Sequence, residues 1–387
     1  MTEIFSYETL TWPEVAGLRR DTPLVIPLGS GWDLGLLAEA LGGPASIGLL
    51  PAIPYGWRGS EVEVPAPVLG AFVGNLLDSL RDDGFTRVHA LVPQGLDLGL
   101  KEAQIHQKSH ATRNTSRMKH GAYSDKLSDA QPGKVILIPA GHTEQHGFHL
   151  SLNVDTLIIE AIANGTAAAV PDQAVTLPVM PYGVSTHRQA FAGTLNAGGR
   201  AFEDFYGAVI DALVARGFDR FYLLSGHGGN CSFFTTVVKY AGERHRRSFA
   251  ATSWLYLSGP DGVAALEKYR RSEIGGMGHA GELETALMLH LRPDLVDMSK
   301  VIDETDFVAT PNYYMDWVEG GSLIANPPWD DDSQTGAYGA GSLATAENGR
   351  LWLEAAIAEK AVHVAEIHEQ HRRREERREA GYGLWGG

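Results

Sequence analysis

The sequence predicts an α/β fold with a mostly parallel sheet covered by helices on both faces. Three observations point there. Short runs rich in Val, Ile and Leu end in glycine. Stretches with helical apolar spacing lie between them. The two kinds alternate, which is the pattern of parallel strands buried on both sides.

Taken in order, PLVIPLGS (23–30) is the first strand candidate, and residues 68–85 form a helix that stops at Gly84. VHALVPQG (88–95) is the next strand. KVILIPAG (134–141), AVTLPVMPYG (174–183) and RFYLLSGHGG (220–229) are further apolar runs ending in glycine. TLIIEAIANGTAAAV (156–170) is helix-like, and residues 201–218 form an amphipathic helix ending at Gly217. Residues 343–380 form one long helix with a charged tail. Residues 101–133 are polar, locally basic and poor in periodicity, and read as a linker.

Two similar series stand in the same order. PLVIPLGS, LLPAIPYG and FVGNLLDSLRDDGFTRVHALVPQG are answered by KVILIPAG, TLPVMPYG and FYGAVIDALVARGFDRFYLLSGHG. Between the first glycine and the PYG proline lie 25 positions in the first series (Gly29 to Pro54) and 40 in the second (Gly141 to Pro181). Residues 1–100 therefore form a shortened αβ half-repeat, 101–133 a linker and 134–387 the complete unit with its C-terminal helix. The first series has Trp32 where the second has Glu144, Leu34 for His146, and Gln94 for His227. Candidate ligands occur only in the second.

Composition narrows the function. With 32 Lys+Arg against 47 Asp+Glu the net charge is −15, which disfavours nucleic acid and anionic lipid as partners. The single cysteine, Cys231, excludes an internal disulfide and fits the cytoplasm. No run of about 18 apolar residues offers a membrane span. Glycine (45) and histidine (15) are abundant, and they cluster in GHTEQHGFH, SGHGGN and GHAGE.

Those strings carry the chemistry. Glu144 and His146, two apart in an extended segment, face one way just past a strand. Asp155 follows, and His227 sits past the next strand of the sheet. Sites in such sheets form outside the carboxyl ends of the strands. Two carboxylates and two imidazoles converging there suit a divalent metal. His279, Glu282 and Glu284 open a helix, where acids also favour the dipole.

EQHGFHLSLNVD (144–155), SGHGGN (225–230) and HAGELET (279–285) together resemble the creatininase family. PYGVSTHRQAFAGT (181–194) and TGAYGAGSLATAENGR (335–350) extend the likeness over about 134–365. The resemblance implies a three-layer αβα fold holding two divalent ions (Zn, Mn or Fe) in a closed homo-oligomer. It implies Asp155 as the bridge between ions, Glu144, His146 and His227 as further ligands, and Glu282 as the last. It implies that His279, oriented by Glu284, carries a proton to the leaving group. The reaction implied is attack of an activated hydroxide on a carbonyl of a small cyclic molecule, a cyclic amide or a keto-inositol. His187 is a candidate substrate contact. Arg113 and Arg117, in a segment similar to the inositol-diketone hydrolase branch, are two more. Peptidase or deformylase action, or a non-catalytic scaffold on the same fold, are the alternatives.

Overall fold

The computed structural model describes residues 2–100, 103–108, 127, 133–186, 190–317 and 321–382. The candidate contacts His187, Arg113 and Arg117 lie outside these residues. The described residues hold two parallel sheets. The first has five strands: β1 (Glu3–Ser6), β2 (Leu24–Pro27), β3 (Ser46–Leu49), β4 (Val88–Pro93) and β5 (Gln104–Gln107), in the order β1-β3-β2-β4-β5. The second has β6 (Val135–Ala140), β7 (Ala174–Thr176), β8 (Arg220–Ser225) and β9 (Phe249–Thr252), in the order β7-β6-β8-β9. Every ladder is parallel. The predicted α/β class is the one observed.

The helices are α1 (Trp12–Ala16), α2 (Leu34–Ala40), α3 (Ala66–Asp82), α4 (Val154–Ala169), α5 (Gly199–Ala215), α6 (Gly228–Arg244), α7 (Pro260–Tyr269), α8 (Glu282–Leu291) and α9 (Ala346–Glu379). The sequence reading found α3, α4, α5, α8 and α9 and missed α6 and α7. The first residues of α6, Gly228 and Gly229, read as a turn because glycine weakens a helix by about 1 kcal/mol relative to alanine. The polar run after residue 100 also hides a strand. β5 joins the edge of the first sheet through the Ala90↔Gln104 to Pro93↔Gln107 register. A four-residue edge strand that is only partly buried leaves almost no apolar signature.

The layers follow from the alternation of side chains along each strand. Leu24 and Ile26 of β2, Ala90 and Val92 of β4, Ile136 and Ile138 of β6, and Phe221 and Leu223 of β8 share one core with α3, α5 and α6. That helical layer lies between the sheets. The opposite residues of the second sheet, Val135, Leu137, Tyr222 and Leu224, pack on α4, α8 and α9. The opposite residues of the first, Val25 and Leu91, meet the seven-residue α2. Among the described residues no helix is long and apolar enough to cross a membrane.

Asp83 makes one of the polar contacts that tie the two halves at the shared layer. Asp83, capping α3, accepts the Gly193 amide at 2.8 Å. Burial pushes its carboxyl up to about 6, against the pull of that amide and of Arg20. A carboxyl raised above its unfolded value stabilises the fold at low pH, and that contribution is lost as pH rises through about 6. Asp83→Asn keeps an acceptor without the charge. Melting temperature should therefore fall less for Asp83→Asn than for the parent between pH 4 and pH 7. Parallel melting profiles would refute this.

Candidate metal centre

The site is assembled where β6 and β8 end side by side, with Ala140 paired to Ser225. After β6 the chain turns through 141–153 and enters α4, placing Asp155 in its first turn. After β8 it enters α6, with His227 as the N-cap. Two glycines permit this approach. A Cβ on Gly141 would lie 2.4 Å from the Thr156 Cα, and one on Gly226 would lie 2.2 Å from the Asp155 carbonyl oxygen. The third contribution comes from His279 and the start of α8.

Glu144, His146, Asp155, His227, His279 and Glu284 are all buried. His227 Nδ1 lies 2.7 Å from Glu144 Oε2 and 3.3 Å from Asp155 Oδ2. His146 Nε2 lies 3.1 Å from Asp155 Oδ1 and 3.7 Å from Glu284 Oε2. His279 Nδ1 is 3.8 Å from the same Glu284 oxygen. Two groups of possible donors result, His142–Glu144–His227 and His146–His279–Glu284.

The other nitrogen of each of three rings meets a backbone carbonyl. His227 Nε2 donates to Val184 O (3.1 Å), His146 Nδ1 to Glu144 O (3.0 Å) and His279 Nε2 to Gln145 O (2.7 Å). A carbonyl only accepts, so the proton of each neutral ring is committed to it. The remaining nitrogen then turns a lone pair toward carboxylate oxygens. Buried lone pairs and carboxylates so arranged require a cation among them. Imidazole nitrogen with carboxylate oxygen is the donor set of Zn and Mn, and the carbonyl partner fixes the ring as metal-site partners do. The residues present therefore fit divalent metal ions.

The electrostatics agree. Burial alone would lower the His146 pKa, but the carboxylates of Asp155 and Glu284 reverse this and raise it. Burial favours the neutral acid at Asp155, yet His146 and His227 hold its carboxyl well below the usual range. Burial, then the neighbouring His146 ring, pushes His149 down to about 4, so that ring stays neutral against the Thr285 hydroxyl at 3.0 Å. Burial pushes the Cys231 thiol up to about 11, which removes it as a nucleophile near neutral pH.

Glu282 departs from the expectation that it is the last ligand. Its carboxylate accepts the Arg271 amide (3.0 Å) and the Ser272 amide (2.7 Å), tying down the turn before His279. Glu284 stands at the cluster instead. At 100° per residue, two positions turn a helix by about 200°, so the two acids leave α8 on opposite sides.

Three further residues escaped the sequence reading. His142, directly before the Glu144 string, is buried with its ring 4.4 Å from that of His227. Its Nδ1 accepts the Gly183 amide at 2.9 Å, so in the neutral ring Nε2 carries the proton. The GHTE spelling was its only signal. Trp254 and Trp317 stand beside Gly228 with ring centroids 6.3 Å apart. They come from loops distant in sequence and gave no signal.

Parallel strands with a buried imidazole–carboxylate cluster at their carboxyl ends define an α/β protein with a candidate divalent-metal centre. Comparison with known proteins identifies the family. The chain belongs to the creatininase family, described as creatinine amidohydrolase, which matches residues 122–364. It is 28% identical over 243 residues to a creatinine amidohydrolase of Pseudomonas putida, covering 58% of this chain and 85% of that protein. It is 32% identical over 167 residues to the mycofactocin precursor peptide peptidase of Mycolicibacterium smegmatis, covering 41% of this chain and 59% of that one. It is 26% identical over 244 residues to a 3-dehydro-scyllo-inosose hydrolase of Thermotoga maritima, covering 58% and 74%. A solved manganese form of creatininase superposes with a TM-score of 0.51 at 26% identity, over 62% of this chain and 92% of that one. A creatininase mutant of Zn–Zn type gives 0.51 at 26%, over 60% and 90%.

The two acids of α8 separate cleanly by experiment. Glu284→Gln should cut the divalent metal retained after purification, with little change in melting temperature between the metal-free forms. Glu282→Ala should lower stability by about 3 kcal/mol, because it strands buried amide donors. Metal analysis beside thermal unfolding reads both, and the opposite pattern of effects would exchange the roles of the two acids.

Proposed function

We propose that this protein is a dinuclear hydrolase that attacks a carbonyl of a small cyclic substrate, opening the ring of a cyclic amide or of a keto-inositol. The observation that carries it is Asp155, whose two oxygens face different donor groups, Oδ1 toward His146 and Oδ2 toward His227. One carboxylate set between two groups is the arrangement of a bridge. On this reading Glu144, Asp155 and His227 would hold one ion, and His146, Asp155 and Glu284 the other. The names of the Pseudomonas putida and Thermotoga maritima relatives supply the two substrate classes.

Two bound cations would supply a water acidic enough to ionise near neutral pH and charge to stabilise an oxyanion. The chain's own residues do the rest. His279 has Nε2–H committed to Gln145 O and Nδ1 facing Glu284. A proton taken at Nδ1 gives an imidazolium beside that carboxylate, from which it passes to the leaving group. Burial of the whole set excludes bulk water and strengthens each contact. His187, Arg113 and Arg117 are proposed substrate contacts, since imidazole and guanidinium suit polyol hydroxyls and carboxylates. A cytoplasmic homo-oligomer completes the proposal; the lone Cys231 and the family likeness support it.

The purified protein should carry close to two divalent ions per chain. It should lose turnover on chelation and regain it with Mn or Zn. A panel of cyclic amides, keto-inositols and short peptides distinguishes the substrate classes. Activity in metal-free protein, or turnover confined to peptides, would overturn the proposal. His227→Ala should reduce kcat at least 100-fold, since even residues that only support metal ligands cost 10–100-fold when removed.

A further inference from the structure

The family match begins at residue 122, so the N-terminal unit needs its own explanation. Its strands β3-β2-β4-β5 run in the order of β7-β6-β8-β9. Aligning Gly29 with Gly141 places Leu24 and Ile26 opposite Ile136 and Ile138. Aligning Gly84-Phe85 with Gly217-Phe218 places Val88 and Ala90 opposite Phe221 and Leu223. All eight side chains face the helical layer between the sheets. In that layer α3 packs on α5. The second alignment makes Phe72 the equivalent of Phe205, and their rings meet with centroids 4.8 Å apart. A residue touches its own equivalent only near the axis of an isologous contact. The N-terminal unit thus sits on the catalytic unit as a second copy would.

From there it grips the turns that carry the site. Leu10 O accepts the Leu152 amide (2.9 Å), and Leu152 O accepts the Glu144 amide (3.0 Å). Asn75 Nδ2 donates to Ala197 O (2.7 Å), and Ser79 Oγ accepts the Asn196 amide (3.0 Å). That second turn bears directly on the first, because Leu195 N donates to Thr143 O (3.1 Å) and Gln145 N donates to Thr194 Oγ1 (3.1 Å). Trp12 joins the remaining pieces. Its ring packs on Phe148 (5.5 Å) and Phe191 (5.3 Å), and its Nε1 donates to Thr335 O (2.8 Å). The neighbouring Gly336 O accepts Gln145 Nε2 (2.8 Å), and Tyr338 N donates to His279 O (2.7 Å).

We propose that the N-terminal unit is an internal partner subunit without donors of its own, and that Trp12 is its positioning residue, bracing the turns of the metal centre. This rests on the hydrolase reading for its activity readouts, but not for its structural one. Trp12→Phe keeps the ring and removes one neutral hydrogen bond, so kcat/KM should fall about five-fold. Trp12→Ala should weaken Mn or Zn retention at least ten-fold and lower kcat more than it raises KM. Trp12→Phe should restore most of that loss.

Amide hydrogen exchange of the metal-free full chain supplies the independent readout. Trp12→Ala should speed exchange at 143–152, 193–197 and 335–338 and leave β4 and α9 unchanged. If Trp12→Ala does not fold, Trp12→Phe should still speed exchange at 335–338. Parent-like exchange in these turns overturns the proposal, whether or not metal is bound. Local loosening in Trp12→Ala, with a parent that binds no metal, overturns the hydrolase reading alone.

Discussion

The site depends on one constraint: a neutral imidazole carries a single N–H, so a ring that donates to a backbone carbonyl has only a lone pair on its other nitrogen. His146, His227 and His279 each spend a proton on a carbonyl and turn the other nitrogen inward. Three carboxylates, Glu144, Asp155 and Glu284, meet those nitrogens in a buried space. Burial keeps bulk solvent from their negative charge, so the cluster calls for cations. The carbonyl partners come from Glu144, Gln145 and Val184, residues of the site turns themselves. Ring orientation and turn conformation therefore depend on each other.

That dependence makes the surrounding backbone part of the site. Asn230 shows it on one side, accepting the Val184 amide (2.9 Å) and donating to Gly141 O (3.2 Å). It ties the ends of two strands to the segment that orients His227. On the other side Gln145 is held by Thr194 and Gly336, which belong to separate loops. The N-terminal unit bears on both loops from outside. Such a site tolerates little drift, because every donor angle is set through a neighbour.

Much of the architecture was legible in the order of residues alone. Buried parallel strands must be apolar on both faces, so β2, β4, β6 and β8 announced themselves, and long amphipathic helices did the same. The motif strings identified Glu144, His146, Asp155 and His227, because close spacing around strand ends survives folding as proximity. β5 and α6 were not legible. One is a short polar edge, and the other opens with two glycines.

The sequence by itself determined the α/β class, the family and the half of the donor set that lies close along the chain. Tertiary structure alone decided which acid of α8 faces the cluster. That choice turns on the azimuth of a helix about its axis, and Glu282 and Glu284 look alike until the Arg271–Ser272 turn claims one of them. It also brought Trp12 against Phe148 and Thr335, more than a hundred and three hundred residues away. Contacts at such separation are set by how layers pack, and no local pattern encodes them.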